Sequence, residues 1–267
     1  MSPTTKWLSA AALLLPLAAG CTDNDAKPEK GAVTIAPSAT ALAPAKAPTM
    51  DAKKLSIDKA SSKVDFAMEA PQEKIVGHVP GSATGDLQID FMDLTKSTGL
   101  VTVDLSGMEV YQAKADKDGK FGAETKVDKQ NEHARTWLEI SPDAPADKRA
   151  ENSKVQFSIK SIEATGEKDL TKLTGAERKV ALKVTGDFLL HQHKVEKVLD
   201  VEATFKMDGD KPVSVELKTV KPFAVGLAEH DVKPRDAFGK FALKTLDVLA
   251  PKVAKDASVS LDVTAHP

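Results

Sequence analysis

His191 and His193 are two residues apart in this 267-residue chain, a spacing that on a strand puts both rings on one side, as two metal ligands would stand. In a turn that argument fails, and no cysteine or third histidine lies beside them to complete a coordination set, so no metal is expected. His133 and Arg135 are a second pair of donors, of a kind that could hold a carboxylate, quinone oxygen or phosphate head group. The same pair equally suits a surface segment bonded to neighbouring acids. His230, Asp231, Lys233, Arg235 and Asp236 form a third polar run, which reads as solvated charge. A hydrolytic or transferase site needs a nucleophile beside a base, or two carboxylates at a defined separation. The chain has no Gly-x-Ser-x-Gly elbow, and its acids alternate outward along apolar runs. The expected catalytic set is therefore none, and the chain is not expected to be an enzyme.

The one cysteine, Cys21, offers different chemistry. Lys6 gives a positive start, Trp7 to Ala19 is apolar, and Leu17-Ala18-Ala19-Gly20 leads into Cys21. The apolar stretch falls short of the roughly 20 residues that span a bilayer, so residues 1–20 read as a signal peptide that is removed. The string is similar to a bacterial lipobox, in which the thiol receives a diacylglyceryl group and becomes the first residue after cleavage. Acyl chains contribute about 0.8 kcal/mol per buried methylene, so several hold a protein on a membrane. Thr22 stands where aspartate would mark retention in the inner membrane. The expected address is the bacterial cell envelope, anchored through Cys21 to the outer membrane and facing the periplasm.

Lys6 is the one charged side chain of the leader, so its loss turns a net charge of −2 into −3. Nothing in that balance points to nucleic acid. With Cys21 lipidated no thiol remains for a disulfide, and stability must come from a buried core. Aromatic residues make up only 4% of the chain, so any cavity has mainly aliphatic walls. Residues 21–54, rich in Ala, Pro, Thr and Lys, are expected to form a lipidated, disordered tether averaging about 30 Å end to end. Residues 55–267 are left for one domain.

That domain is dominated by period two, the mark of half-buried strands. Val64, Phe66 and Met68 share one face, as do Leu87, Ile89 and Phe91. Val101, Val103 and Leu105 follow, then Val155, Phe157 and Ile159. The longest pair carries Val180, Leu182, Val184, Gly186, Phe188 and Leu190, then Leu199, Val201, Ala203 and Phe205, with Gln192-His193-Lys194 as the expected turn. Val213 to Leu217 and Val259 to Val263 give two more. About eight antiparallel strands result, an all-β fold that closes as a barrel or stacks as a sandwich. Gln112 to Glu139 is expected to cross with a helical turn near Asn131 to Trp137, and Ala237 to Leu249 to form a short helix.

Several strings resemble the YceI-like family. Leu55-Ser56-Ile57-Asp58 with Ser62-Lys63-Val64-Asp65-Phe66 is similar to its opening strand, and Val76-Gly77-His78-Val79-Pro80-Gly81 with Thr84-Gly85-Asp86-Leu87 to its second. Lys183-Val184-Thr185-Gly186-Asp187-Phe188-Leu189-Leu190-His191, continuing through Val198 to Phe205, resembles its signature hairpin, with Gln192 where the family has glycine. The resemblance implies an eight-stranded antiparallel lipocalin-like barrel with short helical insertions, enclosing a long isoprenoid or similar lipid. The cavity wall would then be Val64, Phe66, Met68, Leu87, Ile89, Phe91, Val103, Phe157, Ile159, Leu182, Val184, Phe188, Leu199, Val201 and Phe205, with small residues at Gly85, Gly186 and Ala203 leaving room. His133 and Arg135 would contact the head group. The expected function is a lipid carrier, buffer or sequestering lipoprotein, with no cofactor beyond a bound isoprenoid, quinone-like or fatty chain. A solid barrel acting as an envelope interaction protein is the alternative, and a metal-binding module at His191 and His193 a third.

Overall fold

The structure is a computed structural model, in which residues 36–233 and 254–267 are described, all within the compact unit Thr34–Pro267. The leader, Cys21 and the helix expected over Ala237 to Leu249 lie outside these residues. The strands are β1 Lys53–Ile57, β2 Lys63–Ala70, β3 Glu73–His78, β4 Ala83–Ile89, β5 Thr98–Asp104, β6 Glu109–Lys114 and β7 Thr125–Lys126. Helices α1 Asp128–Trp137 and α2 Ala146–Asn152 follow. The second half contains β8 Lys154–Thr165, β9 Glu177–Leu190, β10 His193–Asp208, β11 Lys211–Thr219, β12 Phe223–Gly226 and β13 Asp256–His266.

The pairings close a ring. Strands run in the order β1-β4-β5-β8-β9-β10-β11-β13, and β13 returns to β1 through Ser56↔His266 and Ile57↔Ala265, every contact antiparallel. The barrel has eight strands, as the alternation implies, and a sandwich is ruled out because the ring closes. Its membership differs from the sequence reading in one place. The strand carrying Val64, Phe66 and Met68 is not in the ring; β1 is. Beyond Ile57 the chain turns and β2 takes over beside the first half of β13, while β12 flanks that half on the other side. β2 then pairs with β3, β3 with β6, and β6 with β7. These added strands lengthen the barrel at one end.

The crossing segment forms as expected around Asp116-Lys117-Asp118-Gly119, where Asp116 Oδ1 accepts hydrogen bonds from the amides of Asp118 and Lys120. α1 is seated on β6, because Asn131 bonds both the amide and the carbonyl of Val110 at 2.8 Å.

The tether expectation fails for residues 36–52. The amides of Ser38 and Ala39 donate to the Gln192 carbonyl, and the Leu42 amide donates to Gln156 Oε1 at 2.7 Å. Ser158 Oγ donates to the Ala43 carbonyl and Thr49 Oγ1 to Asp90 Oδ2. Gln156 and Ser158 alternate away from the inward Phe157, and this strap is what buries them. A composition poor in apolar residues cannot build a core, but it supplies backbone donors and acceptors that complete a neighbour's.

Gly85 and Gly186 do not leave room for a ligand. Gly85 has φ +132°, and a Cβ there would lie 2.1 Å from the Leu100 carbonyl oxygen. The space at Gly186 is filled by the Phe157 ring. Gly85→Ala is expected to destabilise the barrel by about 3 kcal/mol, since left-handed strain and a backbone clash add, read as a lower urea midpoint at unchanged slope.

Candidate functional site

The inward faces of the strands enclose two apolar lobes. One is lined by β2, β12 and the start of β13 together with α1, through Phe66, Val225, Val259, Ala134, Trp137 and Leu138. The other is the bore of the ring itself, with Leu87, Ile89, Leu182, Val184, Val201 and Phe205. Taken as the space open to the centre of a water-sized sphere, their volumes are about 120 Å³ and 80 Å³. Each is well above the about 10–15 Å³ that a single water needs. Inward residues such as Phe66, Met68, Val101, Val259 and Leu261 are only partly buried, as the walls of a hollow must be.

Three polar side chains of the lining are bonded within the protein, while the indole Nε1 of Trp137, on the first lobe, is buried without a hydrogen-bond partner. Gln156 accepts from the Leu42 amide and donates to Thr102 Oγ1 at 3.1 Å. Ser97 Oγ accepts from the Asp90 amide, and Thr219 Oγ1 both donates to and accepts from the backbone of Leu261. The walls therefore offer contact to hydrocarbon and leave no hydroxyl or amide of these three residues for a head group.

The wall residues inferred from sequence sit as follows. Val64, Phe66, Met68, Val103 and Phe188 face the first lobe; Leu87, Ile89, Ile159, Leu182, Val184, Leu199, Val201 and Phe205 face the second; Phe157 faces both. Phe91 does not line either lobe. It follows the end of β4 and packs edge-on against Phe205, with ring centroids 6.2 Å apart. His133 and Arg135 are on α1 but outside the lining. Arg135 donates to the carbonyls of Ser106 and Met108 at 3.0 and 2.8 Å, so its guanidinium pins the helix to the barrel instead of meeting a head group. The His133 ring packs against Trp137.

The hairpin tip over the first lobe is a polar knot. The turn is His191-Gln192, one residue earlier than expected, with φ +50° and +64°. A two-residue turn of this kind needs positive φ at both central positions, which is why glycine suits the place that Gln192 holds. Among the described residues the other non-glycine positive φ values are at Glu139 and Asp231, in the same knot. Gln192 Nε2 donates to Asn152 Oδ1 at 2.8 Å, Asn152 Nδ2 to Glu139 Oε2 at 3.2 Å, and Glu139 Oε2 lies 3.5 Å from His191 Nε2. His191 Nδ1 donates to the His230 carbonyl, and the fully buried His230 donates through Nδ1 to the His193 and Leu190 carbonyls. Strain at four residues, each about 1–3 kcal/mol, persists only where neighbours over-determine it. The two histidines at 191 and 193 thus serve the turn, with ring centroids 6.2 Å apart.

Burial pushes the pKa of His230 below the ordinary 6.5, and that of His193 likewise. The unfolded chain binds these protons near pH 6.5 while the folded chain does not, so stability is present above that pH and is lost as pH falls through it. His78 works the other way, raised by its hydrogen bond to Asp65, but it is exposed and its effect is screened. The urea midpoint is expected to drop between pH 7.5 and 5.5, by at most about 1.4 kcal/mol per pH unit for each buried ring. A midpoint that held steady or rose over that range would contradict this reading of the knot.

Several wall residues were not inferred from sequence, nor was one buried cation that lies outside the lining. Trp137 and Leu138 reach the first lobe from the end of a helix, where period two gives no signal. Arg178 continues the inward series of Val180, Leu182 and Val184 and is 6% exposed. Its guanidinium donates to the Leu170 carbonyl at 3.0 Å and pairs with Asp210 at 3.3 Å, tying together the loops at the far end of the barrel. The alternation would have found its inward position, had it been counted two residues earlier.

No family model and no curated protein matches the chain. Among solved structures it is similar to a polyisoprenoid binding domain from Saccharophagus degradans implicated in plant cell wall breakdown, at 14% identity and a TM-score of 0.45, covering 79% of this chain and 97% of that one. It is also similar to Burkholderia cenocepacia BcnA, at 13% identity and a TM-score of 0.45, covering 78% and 98%.

Proposed function

We propose that this protein is a non-catalytic, membrane-tethered carrier or buffer that holds the hydrocarbon chain of an isoprenoid, quinone-like or fatty lipid inside its barrel. The observation that carries the reading is the pair of apolar lobes whose bordering polar side chains, Gln156, Ser97 and Thr219, are bonded within the protein. Such a lining favours chains through area removed from water, roughly 25 cal/mol per Å². The head lies beyond the lobes, and His133 and Arg135 are not assigned to it. Anchoring through Cys21, in the outer membrane and facing the periplasm, would keep the barrel close to one leaflet and favour local exchange over diffusion across the envelope. No observation favours the solid-barrel reading.

Titration with a fluorescent polyene fatty acid tests this. Saturable emission at one probe per chain, reversed by an isoprenoid alcohol, is expected; absence of saturable binding by both probe and alcohol would count against the reading.

A further inference from the structure

The two lobes meet at one level of the barrel, where Val101, Phe157 and Leu261 border both. On three different strands the lining changes from one lobe to the other at that level. On β5 it passes from Val103 to Val101, on β8 from Val155 through Phe157 to Ile159, and on β13 from Val259 through Leu261 to Val263. Val101 and Phe157 are direct cross-strand partners. The aromatic ring is the bulkiest of the three and is held in place from the adjacent strand. Gly186 lies on the inward face between Val184 and Phe188, and a Cβ there would come within 2.5 Å of Phe157 Cζ, so the ring occupies the inward space that any other residue at 186 would fill.

The geometry points to Phe157, seated on Gly186, as the residue that sets the length of chain this barrel accepts. The inference rests on the reading of the lobes as a lipid site and says which lipids fit it. A chain filling only the first lobe binds without rearrangement. A longer chain reaches the bore of the ring only when the Phe157 ring leaves its seat, so the added methylenes gain contact at the cost of displacing an aromatic ring from close packing.

The experiment is a chain-length series of saturated fatty acids, from eight to eighteen carbons, displacing a fluorescent polyene fatty acid from the full chain. In the wild-type protein affinity is expected to rise about fourfold per methylene until the first lobe is full, and then to level off. Phe157→Leu, which keeps an apolar side chain but removes the ring, is expected to shift that plateau to longer chains. Val101→Ala opens the same level from the neighbouring strand and is expected to do likewise, which keeps the test decisive if Phe157→Leu lowers the yield of folded protein. A wild-type profile that climbs evenly through eighteen carbons would overturn the inference while leaving the lipid site intact, as would a plateau that neither variant moves. Failure of every chain length to displace the probe, or of the probe to bind, would overturn the lipid site itself.

Discussion

Replacing Cys21 by alanine is expected to shift the protein from the membrane fraction to the soluble fraction almost completely, and to abolish incorporation of radiolabelled palmitate. The expectation follows from the leader, whose apolar run Trp7 to Ala19 is too short to span a bilayer and ends in small residues before the thiol. No helix among the described residues is long and apolar enough to cross a membrane. At about 0.8 kcal/mol per buried methylene, losing two or more chains removes essentially all binding energy. The strap at residues 36–52 sharpens what the anchor does: its hydrogen bonds to the β9–β10 tip and to β8 bring the chain's entry point to the same end of the barrel as the first lobe. Unchanged palmitate labelling in Cys21→Ala would remove the lipoprotein claim and leave the barrel account untouched.

The second large effect concerns the lobe itself. Val259 lies on β13 opposite Phe66 and Phe223 and borders the first lobe while only partly buried. Val259→Trp places an indole in space that the account assigns to a lipid chain. Binding of a ten-carbon chain is expected to weaken by roughly a hundredfold or more, because several methylenes lose their contact at about 0.8 kcal/mol each. Stability should change little or rise, since the side chain fills a hollow. A variant that folds normally and binds such a chain as tightly as the wild type would show that the lobe is not the binding site.

These residues show where sequence sufficed. Strands with one inward and one outward face, such as Leu182-Lys183-Val184, announce themselves, and the long β9–β10 pair was legible from Val180 to Leu190 and from Leu199 to Phe205. β3 was not, because Ile75, Val76 and Gly77 are buried in succession, and continuous burial erases period two. β1 carries only two buried residues, Leu55 and Ile57, yet closes the ring. Phe91 continued the period of β4 past its end, where the backbone turns at Asp90 and the inward direction is lost. The strap was hidden for a different reason. Its contribution is hydrogen bonding to Gln156, Ser158 and Gln192, and polar composition predicts disorder whether or not such partners await it. The division of the cavity was equally invisible, since Phe157 looks like any inward phenylalanine until its seat on Gly186 is seen.

The central claim is that the barrel is occupied by a hydrocarbon chain where it works, and the most direct measurement is native mass spectrometry of the full-length protein purified from its own membranes without added lipid. The account predicts a discrete adduct, retained in the gas phase, whose mass after organic extraction matches a lipid bearing a long apolar chain, and which is absent from Val259→Trp prepared in parallel. A protein that flies repeatedly without any non-covalent adduct, with nothing recovered in the extract, would contradict it.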